Sequence, residues 1–294
     1  MISDYIKKIK ANTSIYATKK TSSLLDGTYT SVFMGRSLNF EDLREYIPGD
    51  NIRDIDWKAS SRNGSLLVKR FVAERKHNIM FVLDTGLKMS GDTNSGTSKK
   101  EIALLMTGTL SYLAYKNGDN IGAVYNNDGK VKYHQLRTGL NNVEKFLTYY
   151  EKDILVGKNN DIEKSIQFIS NNIKTKMVVV IVTDLAGAHS ISEKMLKQLK
   201  CRHDVLVVNI GDADMSGHKN GRVYDLEGGH YIPEFISRSK RFAKIEKAYK
   251  EKLQGEVDHK LIRFGISNVD IDDDKNISSK VIELLENHRN VNIH

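Results

Sequence analysis

The stretch NIMFVLDTGLKMSG, Asn78–Gly91, carries the reading of the fold. Its opening is a short apolar run ending at Asp84, long enough for a strand buried on both faces and too short for a typical helix. A polar loop follows at once. Open α/β sheets place their binding sites at such carboxyl ends of strands.

Working outward, the polar loop GDTNSGTS leads into KKEIALLMTGTLSYLAYK, whose apolar residues recur at helical spacing. NIGAVYNN and KVKYHQL alternate like strands around Asp128-Gly129, a hairpin turn signal. Helices are expected at about 141–151 and 161–171, before MVVVIVTD, a second buried strand ending in aspartate, Asp184. SISEKMLKQLK then reads as a helix, DVLVVNI as a strand and GRVYDLEGGHYI as a short β-element. A long helix is expected at about 237–264, its stripe of Phe242, Ile245, Tyr249, Leu253, Val257 and Leu261 facing a core. A last helix falls near 278–288. Short buried strands alternating with amphipathic helices give an α/β fold with a doubly wound, mostly parallel sheet.

Ahead of this regular part the pattern is irregular. GTYTSVFMG and SLLVKRFV read as strands, NFEDLREYI as one or two helical turns, and Pro48-Gly49 as a tight turn. The organisation expected is a small β-containing domain over residues 1–75 and a large domain over 76–294.

Composition narrows the function classes. The 294 residues carry a formal charge of +8 with one cysteine, Cys201, so no internal disulfide can form and no multi-cysteine metal site exists. No apolar run reaches the length of a bilayer span, and the basic start MISDYIKKIKANTS lacks the apolar core of a secretory signal, so a cytoplasmic protein is expected. Basic residues are interleaved with acidic ones, which argues against a nucleic-acid binder despite the charge. The histidines show no metal-ligand pairing, and no nucleophile elbow occurs. Gly91 and Gly96 have phosphate-loop spacing, but Thr97 and Ser98 stand where Lys and Ser/Thr belong, so a flexible loop is expected.

Two carboxylates at neighbouring strand ends, Asp84 and Asp184, would repel each other unless a cation sat between them. The arrangement resembles the von Willebrand factor A fold and its metal-ion-dependent adhesion site, where Asp-x-Ser-x-Ser, a threonine and a second aspartate hold a divalent ion. On this sequence Asp84 and Asp184 match the aspartates, Gly86 and Lys88 replace the two serines, and Asn160 is nearest to the threonine. The resemblance therefore implies a degenerate site. Lys88 is expected near one or both carboxylates as a tethered cation, with no metal or other cofactor and no catalytic residue.

The stretch GRSLNFEDLREYIPGDNIRDIDWKASSRNGSLLVKRFVAE closely resembles the family of domain of unknown function 58. The positions that carry the likeness are Arg44, Glu45, Tyr46, Gly49, Asp50, Arg53, Ile55, Asp56, Trp57, Lys58 and Arg62, and it continues through YDLEGGHYI. It implies a non-enzymatic adaptor acting with a MoxR-type AAA+ ATPase on client proteins. The charged motif has two readings: a clamp of ion pairs around Trp57 docking the small domain onto the sheet, or a recognition surface, since Arg and Trp are typical interface anchors. An acidic partner is expected on the loop face bearing Asp84, Asn160 and Asp184. The rivals are a metal-assisted hydrolase at Asp84 and Asp184, and a nucleic-acid binder resting only on net charge.

Overall fold

The computed structural model describes residues 40–71, 76–156, 161–217 and 222–291, with Lys7, Leu25, residues 27–29 and Val32. The first unit pairs β1 (Phe40–Glu45) antiparallel with β2 (Leu67–Phe71) around a short 3-10 turn and α1 (Trp57–Asn63). NFEDLREYI thus supplies a strand, not helical turns: Arg44 and Glu45 lie opposite Val68 and Leu67, and the Tyr46 N–H continues the pairing to Leu66 O at 2.8 Å. Of GTYTSVFMG, residues 27–29 are helical and most of the rest lies outside the described residues.

The large unit runs β3 (Asn78–Leu83), α2 (Lys99–Lys116), β4 (Asn120–Asn127), β5 (Lys130–Arg137), α3 (Leu140–Val156), α4 (Ile162–Asn172), β6 (Val178–Asp184), α5 (Leu185–Ser190), α6 (Glu193–Lys200) and β7 (Asp204–Ile210). A small hairpin follows, β8 (Tyr224–Asp225) and β9 (His230–Tyr231), then α7 (Glu234–Ser237), α8 (Lys240–Arg263), β10 (Ser267–Ile271) and α9 (Ile277–Val291). The six-stranded sheet has the order β10-β7-β6-β3-β4-β5, parallel except for β5, which folds back on β4 through Asp128-Gly129. Numbered by their own succession these strands read 6-5-4-1-2-3, the doubly wound order. The chain reverses its winding between β3 and β6. Asp84 and Asp184 flank that crevice.

Strand periodicity distributes β3 between two cores: Ile79, Phe81 and Leu83 enter one, while Met80 and Val82 enter the other. The first core is closed by α2, α3 and α9, the second by α4, α6 and the end of α8. Each fully buried side chain of this size contributes about 1.5–3 kcal/mol. Leu25, Tyr29 and Val32 join the first core, and the Tyr29 hydroxyl donates to Asp119 at 2.5 Å. The segment ahead of residue 76 therefore fills the core of the large unit as well as building β1 and β2.

The expected stripe on α8 divides in two. Val257 and Leu261 are buried, but Phe242, Ile245 and Tyr249 are exposed. The cause is the length of the sheet. Asn209, next to last in β7, reaches Gln254 of α8 (3.2 Å), so the helix ahead of Gln254 has no strand beneath it. At 1.5 Å per residue, this part projects about 20 Å beyond the sheet.

Candidate functional site

The site grows from the end of β3. The Asp84 N–H donates to Val182 O (3.0 Å) on β6, and the buried Tyr150 hydroxyl donates to Asp84 O (2.8 Å). Burial raises the Tyr150 phenol well above its ordinary value, with the charge of Asp84 adding to this, so it stays a donor. Thr85 in turn donates to Asn126 O at 2.5 Å, tying the loop to β4. The backbone at Asp84 is fixed from both neighbouring strands.

Its carboxylate is equally committed. Oδ1 accepts from the Gly86 N–H at 2.7 Å, and Oδ2 accepts from the Thr183 hydroxyl at 2.6 Å. Across the crevice, Asp184 caps α5 by accepting the Gly187 N–H on Oδ1 at 2.8 Å. Asp184 Oδ2 receives the ammonium of Lys99, 3.1 Å away. Lys99 is 2% exposed and also pairs with Asp212, just beyond β7. Burial pulls its ammonium below the ordinary lysine value, an effect that Asp184 opposes.

A tethered cation therefore neutralises the crevice, but it is Lys99 and not Lys88. Lys88 pairs instead with Glu227 at 3.2 Å, on the loop between β8 and β9. The sequence held a signal for Lys99: it opens α2, where the helix dipole disfavours a cation, so its place there needs a local carboxylate. The loop before it is not free either. Thr93 is buried, and the hydroxyls of Thr93 and Ser95 both donate to Asp272 O, at 2.6 and 2.5 Å. Lys99 N donates to Gly91 O at 2.9 Å, closing the loop on itself.

This donor set does not fit an octahedral, oxygen-ligated divalent ion. Every carboxylate oxygen of Asp84 and Asp184 already meets an N–H or O–H donor, Gly86 brings no side-chain oxygen, and Lys99 supplies positive charge in place. Asn160 lies outside the described residues. Gly187 is part of the construction, since a Cβ there would lie 2.0 Å from the Thr183 hydroxyl and 2.9 Å from Asp84 Oδ2. Above the crevice opens a cavity of about 550 Å³ lined by Asp84, Asp161, Glu163, Asp184 and Glu227, with Lys88 the one lining cation among the described residues.

The motif in the first unit is built differently. Arg44 forms two bonds to Asp50, at 2.7 and 2.5 Å, and Asp50 also accepts the Ile47 N–H, closing the turn in which Gly49 takes a φ of +112°. Asp56 caps α1 by accepting from Lys58 N and Ala59 N, while Ser60 bridges Asp56 O and Leu67 N. Ile55 is buried and bridges to Val68. Glu45 and Tyr46 serve through the backbone of the strand pair. These residues make a frame. What the frame carries outward is Trp57, 63% exposed, with Arg53, Lys58 and Arg62 exposed beside it in sequence. Arg53 and Arg62 form no ion pair with other described residues, so the expected cluster around Trp57 does not form. An exposed tryptophan overturns the clamp.

The crevice and its order define a class: a doubly wound α/β domain whose switch-point site holds its own cation. The family described as "Protein of unknown function DUF58" matches residues 42–234, and the chain belongs to it. The chain is similar to uncharacterized proteins of Mycobacterium bovis and Mycobacterium tuberculosis, 23% identical over 199 residues, 66% of this chain and 61% of theirs. It thus spans about three fifths of those relatives' length. Among solved structures, similarity extends to the PilB minor pilin from Streptococcus sanguinis (TM-score 0.42, 10% identity, 77% of this chain and 65% of that one). It extends also to a von Willebrand factor type A protein from Catenulispora acidiphila (TM-score 0.37, 10% identity, 74% and 44%). Among the described residues no helix is long and apolar enough to cross a membrane.

Proposed function

We propose that this chain is a non-enzymatic protein-interaction adaptor whose partner is an AAA+ ATPase of the MoxR type, as the family resemblance implies. The observation that carries the interaction reading is Trp57, displayed to solvent by a frame of buried and paired motif residues. Ile47, Ile52 and Leu66 of the same unit are exposed too. Exposed aromatic and aliphatic side chains beside the exposed Arg53 and Arg62 have the composition of an interface centre.

The crevice supports a binding role over a catalytic one, because its carboxylates are spent on internal donors and Lys99. Its cavity also revises the chemistry expected of a partner. Asp161 and Glu163, which line it beside the satisfied Asp84 and Asp184, favour a cationic side chain reaching in, rather than an acidic face. The test is calorimetric binding of the full chain to the MoxR-type ATPase of the same organism. Trp57→Ala and Arg53→Ala/Arg62→Ala are each expected to weaken binding about tenfold or more with unchanged melting. Unaltered affinity in both variants would remove Trp57 from the interface, and no binding by the parent would remove this class of partner.

A further inference from the structure

The projecting half of α8 offers a second surface that the motif around Trp57 does not explain, and it lies beyond the residues matched by the family. Phe242, Ile245 and Tyr249 fall at steps of three and four, forming one stripe two turns long, and Ile245 and Tyr249 are 56% and 64% exposed. The neighbouring stripe, one residue further on, is fully engaged. Ala243 packs near Gly217, Glu246 accepts from Met215 N and the Ser216 hydroxyl, and Lys250 donates to Asp212 O, Ala213 O and Asp214. This half-helix is therefore held rigidly in place by one face while presenting another.

Charge selects the occupant. Residues 240–252 carry six Lys/Arg against two glutamates. Lys240, Arg241 and Lys244 make no ion pair with other described residues, whereas Lys247, Lys250 and Lys252 do. The unpaired cations cluster at the outer end of the stripe. On the side facing the 211–217 segment lie Asp214 and Glu246, so the surround is bipolar rather than uniformly basic. A flat anionic membrane would meet these carboxylates as well as the lysines. A second copy would bring an equally basic arm against this one.

We propose that the outer half of α8 docks an acidic amphipathic helix of a partner protein, its apolar face on Phe242, Ile245 and Tyr249 and its carboxylates on Arg241 and Lys244. Helix packing of this kind uses anchors at these spacings. The probes are two synthetic helices with leucines at i, i+3, i+4 and i+7, one flanked by glutamates and one by lysines, titrated into the full chain by fluorescence anisotropy. The parent is expected to bind the acidic helix, and Ile245→Ser/Tyr249→Ser to bind it about tenfold more weakly with unchanged melting. Arg241→Glu/Lys244→Glu is expected to lose the acidic helix and gain the basic one. Failure of the parent to bind the acidic helix, or equal binding by the apolar variant, overturns the proposal. So does preferential, Ile245-dependent binding to phosphatidylglycerol vesicles, or an Ile245-dependent dimer in sedimentation, since each names a different occupant.

Discussion

The crevice at Asp84 and the motif at Trp57 are both charged constellations centred on aspartates, and the fold uses them in opposite ways. In the crevice the charges are buried and every one is answered: Lys99 by Asp184 and Asp212, Asp84 by Thr183 and Gly86. In the motif the aspartates are consumed in capping and turn closure, and the arginines and tryptophan beyond them stay in solvent. A buried charge must be paired where it stands, because low dielectric makes an orphan very costly. An exposed one is free to wait for a partner. The same residue types therefore mean internal structure in one region and recognition in the other, and burial separates the two meanings.

That contrast can be broken most severely at Lys99. Lys99→Ala leaves Asp184 buried without its cation and is expected to destabilise the protein by about 3–5 kcal/mol, read by urea denaturation. A loss no larger than that of a surface lysine would show the crevice to be solvated after all. Next in size is Gly187→Ala, whose methyl group must displace the Thr183 hydroxyl from Asp84, at about 1–3 kcal/mol. Unchanged stability would mean that this hydrogen bond is dispensable.

In the motif, Trp57→Ala is expected to change stability by no more than about 0.5 kcal/mol, as for other exposed positions. A buried tryptophan would cost several times more, so a large loss would revive the clamp. The smallest effect is electrostatic. The hydrogen bonds from Arg44 foremost, then from the Ile47 N–H, hold the Asp50 carboxyl below the usual carboxylate range. Because its folded value is depressed, the stabilisation it gives is complete above the ordinary carboxylate value and is lost as pH falls through the lowered one. Carbon-detected NMR should show Asp50 titrating closer to the ordinary value in Arg44→Gln. An identical titration would remove Arg44 as the cause.

Much of this was legible in the sequence. The runs NIMFVLD and MVVVIVTD announced the two central strands, and their terminal aspartates marked the switch point, because periodicity and turn residues act locally. Side-chain direction was not legible. Lys88 and Lys99 are both near Asp84 in sequence, but Lys88 pairs with Glu227 and it is Lys99, at the start of α2, that enters the crevice. NFEDLREYI could pair as β1 only because SLLVKRFV lies opposite it, a tertiary fact that overrides local preference. The apolar stripe of α8 had the right period for a core along its whole length, yet periodicity does not report where the sheet beneath it stops.

The central claim is that Lys99 supplies the cation that Asp184 needs, and magnesium tests it. Calorimetry and thermal unfolding of the parent chain should show no heat of binding and no rise in melting temperature at millimolar magnesium. Thermal stabilisation by magnesium that disappears in Asp184→Asn would contradict the claim, because the ion would then be using the carboxylate assigned to Lys99.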